Sequence, residues 1–155
     1  MRASTILAFA LLVAARAASQ EVANPPRKAQ CRFSDGSTIT VTYSYERNSY
    51  LLATDGTLVT VKGVRVPAGD YAVFPAKDSD SHWSLTIKKQ ILKAGDWVLP
   101  RLPMSVATPA VPAGDFPVFF DQTGGSCTMY WRQRNSSTIL SLEFTKENAD
   151  QRVSP

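Results

Sequence analysis

The chain has 155 residues, of which 44% are hydrophobic and 19% are charged, with 17 Lys and Arg against 13 Asp and Glu. Two of the basic residues, Arg2 and Arg16, fall in a predicted leader, so the rest of the chain carries 15 basic residues against 13 acidic ones, a net charge of +2. This length suits one domain, and basic residues scattered in this way, without interleaved aromatic side chains, exclude nucleic acid as the expected partner.

Residues 1–17 are predicted to be a secretory signal peptide. Arg2 precedes an apolar run over residues 6–15, and residues 15–17 read Ala-Arg-Ala, a small-x-small cleavage signal. Cleavage there leaves 138 residues (155 minus 17), whereas a competing site at residues 17–19 leaves 136 (155 minus 19). The apolar run of about 10 residues is shorter than the ~20 that span a bilayer as a helix. We therefore expect no transmembrane segment and a secreted or periplasmic location.

The composition divides the rest of the chain into three parts. Residues 18–29 include an Asn-Pro-Pro run and lack apolar periodicity, which predicts a disordered N-terminal tail. Residues 30–146 are predicted to form a single β-sandwich domain, and residues 147–155 a C-terminal tail.

Alternating apolar and polar residues predict strands throughout this domain. The residues expected on buried faces are Ile39, Val41, Tyr43, Tyr45, Trp83, Leu85, Ile87, Cys127, Met129, Trp131, Leu140, Leu142 and Phe144. Further strands are expected over residues 50–53 and 58–61, and the Asp-Gly pairs at residues 35–36 and 55–56 predict tight turns. Because no window predicts more than a single helical turn, we expect an all-β fold, an antiparallel, jelly-roll-like β-sandwich of about eight to ten strands.

One segment recurs within the chain. Residues 66–74 read VPAGDYAVF and residues 111–119 read VPAGDFPVF, so seven of nine positions are identical. Pro followed two residues later by Gly suits a turn that starts an aromatic-led strand, which indicates a duplicated strand-turn-strand unit. A paired carboxylate site formed by Asp70 and Asp115 is the alternative, but turn aspartates usually bond their own backbone.

Two cysteines, Cys31 and Cys127, remain after removal of the leader. An even number of cysteines in an exported chain predicts a disulfide, here one that joins the first strand to a strand near the end of the domain. No Cys-x-x-Cys spacing suggests redox chemistry.

Asp78, Asp80 and His82 form the strongest local constellation for metal binding. Alternate residues of an extended chain share a face, so two carboxylates and an imidazole could hold a divalent cation, with calcium favoured over zinc because the ligands are mainly oxygen. The alternative is a solvated loop between two strands, which is the common fate of such a polar segment. No other cofactor is expected.

Motifs for known chemistries are missing from the sequence. It contains no Gly-x-Ser-x-Gly elbow, no His-Glu-x-x-His pair and no Gly-rich phosphate loop. Carboxylate pairs of the glycosidase type leave no local spacing, so they stay open at this point. Aromatic side chains could instead bind a ligand, and Trp97 and Tyr50 are the candidates, because aromatic faces stack on sugars; burial in the core is the alternative.

Residues 57–71 read TLVTVKGVRVPAGDY, residues 83–90 read WSLTIKKQ, and residues 123–125 read TGG, with Trp131 following. In these segments the chain resembles a bacterial exported family catalogued as domain of unknown function 2911. The resemblance covers roughly residues 30–145 and implies an exported bacterial β-sandwich. The family has a longer stretch before the VPAGDY motif, with a Trp-Arg pair and a Gly-Ala-Asn-Glu element, and residues 45–57 here are too short to contain it. The resemblance implies no activity and no functional residue.

These observations leave three functional hypotheses. The first is a non-enzymatic exported domain that binds an unidentified ligand or partner, either a carbohydrate or an envelope protein. The second is a hydrolase of polysaccharide that uses carboxylates brought together by the fold. The third is a structural component of the cell envelope.

Overall fold

A computed structural model describes residues 27–89, 101–108, 116–134 and 136–147. Within these ranges the chain forms eleven β-strands and no helix, as the alternating sequence predicts. The strands are β1 (Lys28–Arg32), β2 (Thr38–Ser44), β3 (Ser49–Thr54), β4 (Leu58–Thr60), β5 (Arg65–Val66), β6 (Gly69–Lys77), β7 (Trp83–Lys89), β8 (Leu102–Val106), β9 (Val118–Thr123), β10 (Ser126–Arg132) and β11 (Ile139–Lys146).

All pairings are antiparallel, and nine strands follow one another in the order β1-β2-β3-β6-β7-β8-β11-β10-β9. β4 pairs with β11 and with β5, to the side of this path. The sheet has two halves that share β8, since Leu102 and Met104 of β8 pair with β7 whereas Ser105 and Val106 pair with β11. A strand that changes partners along its length lets one sheet fold over on itself, which gives a sandwich-like fold.

The core lies between the two halves and is built from alternate residues of each strand. Ile39 and Val41 of the first half are fully buried, and so are Met129 and Leu140 of the second. The predicted inward positions of β10 and β11 are all confirmed as buried. Three other predicted positions are not fully buried. Tyr43 and Trp83 are half-buried, and for Tyr45 the prediction is wrong, because β2 ends at Ser44 and Tyr45 begins the turn to β3, where it is 48% exposed.

The two ends of the sheet, β1 and β9, lie beside each other without a backbone ladder, so the sheet is a nearly closed barrel. The predicted pairing of the cysteines bridges this gap: Cys31 of β1 and Cys127 of β10 form a disulfide with 6.2 Å between their Cα atoms. Both cysteines are buried. The covalent link thus joins the first strand to the far end of the sheet.

The first copy of the repeat forms the predicted unit, because Pro67 and Ala68 connect β5 to β6. The Tyr71 hydroxyl donates a hydrogen bond to the Pro67 carbonyl at 2.6 Å, and Gly69 between them has a positive φ of 152°. This bond resembles the tyrosine corner of other β-sandwiches, which fixes the path of the chain as it enters a strand. The second copy precedes β9 and has Phe116 in place of Tyr71; Asp115 lies outside the described residues, so the paired-carboxylate alternative stays a prediction.

β1 begins at Lys28, two residues before the predicted start of the domain at residue 30, and the backbone N–H of Tyr43 donates to the Arg27 carbonyl at 2.9 Å. At the other boundary, β11 ends at Lys146, the residue at which the predicted domain also ends. The predicted signal peptide falls outside the described residues. Among the residues that are described, no helix is long and apolar enough to cross a membrane.

Replacing both cysteines by serine tests the closure of the sheet. The disulfide spans 96 residues, and the chain-entropy model assigns about 4.7 kcal/mol to a loop of roughly this length, so we expect the free energy of unfolding to fall by about 2–5 kcal/mol. Denaturant unfolding of the oxidised protein and of the Cys31→Ser, Cys127→Ser double variant measures the loss. Equal unfolding midpoints would show that the strands hold the sheet closed unaided.

Tyr71→Phe tests the bond to Pro67. The ring stays in the core while the carbonyl loses its donor, which we expect to cost about 1–2 kcal/mol in denaturant unfolding. Tyr45→Phe is the matched control, because the Tyr45 ring is exposed and its change should leave the free energy of unfolding within about 0.5 kcal/mol of the parent's. Equal effects of the two substitutions would contradict a structural role for the Tyr71 hydroxyl.

Candidate functional site

A cleft of about 390 Å³ lies where the two halves of the sheet meet at one end of the barrel. β3 and β6 contribute from the first half, and the end of β10 contributes from the second. We call it the Tyr50 cleft; its lining is Asn48, Ser49, Tyr50, Ala72, Val73, Phe74, Pro75, Pro117, Trp131, Arg132, Gln133 and Arg134. The volume falls in the range of sites that hold small molecules.

Aromatic rings meet across the interior of this cleft. Tyr50 of β3 and Trp131 of β10 contact each other edge to face, with 4.6 Å between ring centroids, and Tyr50 also contacts Tyr43 and Phe116 at 5.1 Å and 6.1 Å. Trp131 is buried, whereas Tyr50 is only half-buried. The cleft therefore presents a partly accessible aromatic ring that is held in place by a buried one.

The charged groups of the cleft are the guanidinium groups of Arg132, at the end of β10, and of Arg134, just after it. Burial raises the pKa of the Tyr50 hydroxyl above its ordinary value of 10.0, and the Arg134 guanidinium beside it opposes that rise. The hydroxyl is therefore protonated at neutral pH. Gln133 follows Arg132 in the chain, and its buried Nε2 has no hydrogen-bond partner among the residues that the structure describes. The cleft thus combines aromatic rings with guanidinium, amide and hydroxyl groups.

The predicted metal-binding residues come together in the loop between β6 and β7. One ligand atom each from Asp78, Asp80 and His82 lie within 4.8 Å of one another, and all three residues are exposed. His82 Nδ1 is 3.7 Å from Asp78 Oδ2. The donor set would suit a calcium ion better than zinc, because two of the three ligands are carboxylates.

Hydrogen bonds within the same loop account for the position of Asp78. Its Oδ1 atom accepts from the backbone N–H groups of Asp80 and His82, both at 2.9 Å, and its own N–H donates to the His82 carbonyl at 2.9 Å. An aspartate that bonds its following backbone is a common way to close a loop. Asp78 therefore has a structural role whether or not a cation binds.

A second cleft, which we call the polar cleft, lies at the opposite end of β10 and β11. It has a volume of about 640 Å³ and is lined by Ser34, Asp35, Gly125, Ser126, Glu143, Thr145, Lys146 and Glu147. Two of its carboxylates, those of Glu147 and Asp35, form ion pairs. Arg65 Nη2 is 2.5 Å from Glu147 Oε1, and Lys146 Nζ is 3.7 Å from Asp35 Oδ2.

The electrostatics of Asp35 bear on the possibility of acid catalysis. Hydrogen bonds from Ser37 hold the pKa of the Asp35 carboxyl below its ordinary value of 3.8, and Lys146 adds to this effect. A general acid in glycoside hydrolysis needs the opposite shift, a pKa raised toward neutrality. Asp35 is therefore suited to an ionised, structural role.

The sequence prediction found part of the Tyr50 cleft. Tyr50 itself lies in it, whereas Trp97, the other predicted aromatic candidate, lies outside the described residues. The alternating sequence predicts that Trp131 lies in the core. The side chain is buried there, and it also lines the cleft. Arg132 and Arg134 were not identified; a Trp followed by alternate arginines at the end of a strand is the local signal that could have found them.

No protein-family model, curated protein or solved structure matches the chain significantly. The resemblance to domain of unknown function 2911 stays a prediction.

Substitutions in the β6–β7 loop separate loop closure from cation binding. Without calcium, we expect Asp78→Ala to lower the free energy of unfolding by about 1–2 kcal/mol, because two backbone N–H groups lose their acceptor. Asp80→Ala, the control, should change it by less than about 0.5 kcal/mol. Thermal unfolding with and without millimolar calcium measures both effects. A calcium-dependent rise in melting temperature that both variants abolish would instead identify a metal site.

Proposed function

We propose that the protein is an exported, non-enzymatic binding protein and that the Tyr50 cleft is the site of its carbohydrate ligand. The observation that carries the proposal is the meeting of Tyr50 and Trp131 at 4.6 Å in a cleft that also contains guanidinium and amide groups. Sugar rings have apolar faces that pack on aromatic side chains and hydroxyl groups that pair with polar ones. The cleft offers both kinds of contact within one small volume.

The proposed export has two supports. The N-terminal residues carry the pattern of a signal peptide, and the disulfide between Cys31 and Cys127 is typical of proteins from oxidising compartments. A secreted or periplasmic protein would meet polysaccharides of the cell envelope or of the surroundings.

A polysaccharide hydrolase is the second candidate, and the polar cleft is the observation that favours it, since Asp35, Glu143 and Glu147 line the same depression. Two of these carboxylates are paired with cations, and Asp35 has a lowered pKa. This arrangement suits structural ion pairs better than an acid and base couple. A structural role in the envelope has less support, because only four large hydrophobic residues are exposed among those that the structure describes: Tyr45, Val61, Phe74 and Val106.

The proposal is tested by screening the oxidised protein, without its leader, on a glycan array and measuring each hit by calorimetry. Tyr50→Leu removes the ring but keeps an apolar side chain, and we expect it to weaken binding roughly tenfold, which corresponds to about 1.4 kcal/mol. Tyr130→Leu is the matched control, since Tyr130 is also half-buried and stacks on Phe119 at 5.0 Å, but it does not line the cleft.

Equal ligand affinities of the two variants would show that the ligand binds outside the Tyr50 cleft. Release of sugar during the incubation, lost on Glu143→Gln, would favour the hydrolase instead. An array without any hit would overturn the carbohydrate proposal.

A further inference from the structure

The charge of the Tyr50 cleft indicates which class of carbohydrate it would accept. Arg132 and Arg134 line the cleft, and none of the described residues that line it is an aspartate or a glutamate. A third guanidinium, that of Arg27, is close enough to act electrostatically on the Tyr50 hydroxyl. Positive charge is therefore concentrated in the lining of the Tyr50 cleft, whereas the acidic residues Glu46, Asp78 and Asp80 lie in loops at the same end of the barrel but outside that lining. An anionic ligand is the electrostatic complement of such a surface.

The two cleft arginines have different surroundings. Arg132 is the last residue of β10 and is half-buried, whereas Arg134 follows β10 and is exposed. Arg134 is also the guanidinium beside the Tyr50 hydroxyl. A charged group of a ligand that packs on the Tyr50 ring would therefore come within reach of Arg134 first.

The shape of the donors favours a carboxylate. A guanidinium presents paired N–H groups in a plane that match the two oxygens of a carboxylate, and such charge-assisted bonds are about twice as strong as neutral ones. Gln133, which lies between the two arginines in the chain, also lines the cleft and adds an amide group to its polar lining. Aromatic, guanidinium and amide groups together match a sugar ring that bears a carboxylate.

We propose that the Tyr50 cleft binds a uronic acid unit of an acidic polysaccharide, with the carboxylate paired to Arg134 and the sugar ring packed on Tyr50. This inference rests on the proposed carbohydrate binding. It adds the chemical class of the ligand and the residue that selects this class. Because the cleft, at about 390 Å³, lies near the lower end of the range for small-molecule sites, it holds a short segment of the polysaccharide.

The test compares the affinity of matched ligands for matched variants. The ligands are short oligomers of galacturonic, glucuronic and mannuronic acid, and the same oligomers after reduction of their carboxyl groups to neutral alcohols. The proteins are the parent, Arg134→Gln, Arg134→Lys and Arg32→Gln. Arg32 is an exposed arginine at the opposite end of β1 and serves as the control for loss of one positive charge. Thermal unfolding confirms that each variant folds.

We expect at least one acidic oligomer to bind the parent roughly tenfold more tightly than its reduced form, as one charge-assisted contact allows. Arg134→Gln should remove this preference, because it weakens binding of the acidic oligomer by a larger factor than binding of the reduced form, and Arg134→Lys should restore part of the preference. Arg32→Gln should behave as the parent does. Higher salt concentration should reduce the difference in affinity between the acidic and reduced oligomers, since salt screens exposed charges.

Three other outcomes overturn the inference in distinguishable ways. If the acidic and reduced forms bind equally, or if only neutral glycans bind, the preference for uronic acid is wrong and the proposed carbohydrate binding stands. If no oligomer and no array glycan binds, both proposals fail together. A preference that Arg134→Gln leaves unchanged would show that another group recognises the carboxylate.

Discussion

The fold depends on how its single sheet closes. The strands run in sequence from β1 to β9, and these two ends approach each other without the backbone hydrogen bonds that would complete a barrel. The disulfide supplies the missing connection, because Cys31 lies on β1 and Cys127 lies on β10, directly opposite Gln122 of β9. Unpaired strand edges invite association with other chains, and a covalent link beside the gap keeps the two edges facing each other. The interior rings that form the Tyr50 cleft come from both halves, so their contact depends on this closure.

The two ends of the barrel differ in chemistry. At one end, aromatic rings and guanidinium groups surround the Tyr50 cleft, and at the other end Asp35, Lys146, Glu147 and Arg65 form ion pairs. Paired charges neutralise each other and can be explained by stability, whereas the described lining of the Tyr50 cleft holds two arginines and no carboxylate. This contrast is why we place the binding function at the first end. A fold of this kind does not itself imply a function, so the argument depends on the side chains of the cleft.

The sequence predicts the fold better than the site, and particular residues show why. The strict alternation of Cys127, Met129 and Trp131 is a local pattern, so it identifies a strand and its buried face without knowledge of the partners. In the sequence, Tyr45 continues the alternation of β2. The strand nevertheless ends where its hydrogen-bonded partner strand turns away, and a local sequence pattern does not show where that happens. The Tyr50 cleft joins residues near positions 50, 74 and 132, and only the pairing of β3 with β6 and the closure of the sheet bring them together.

The point at which the chain enters the barrel has a practical consequence. Lys28 pairs with Thr42, and Thr42 pairs with Leu51, next to Tyr50, so β1 begins at the end that carries the Tyr50 cleft. β11 ends at Lys146, at the end that carries the polar cleft. A purification tag or surface anchor attached ahead of Arg27 would therefore join the barrel beside the cleft, whereas one attached after Glu147 would join it at the far end. Immobilisation through the C-terminal side leaves the cleft facing the solution.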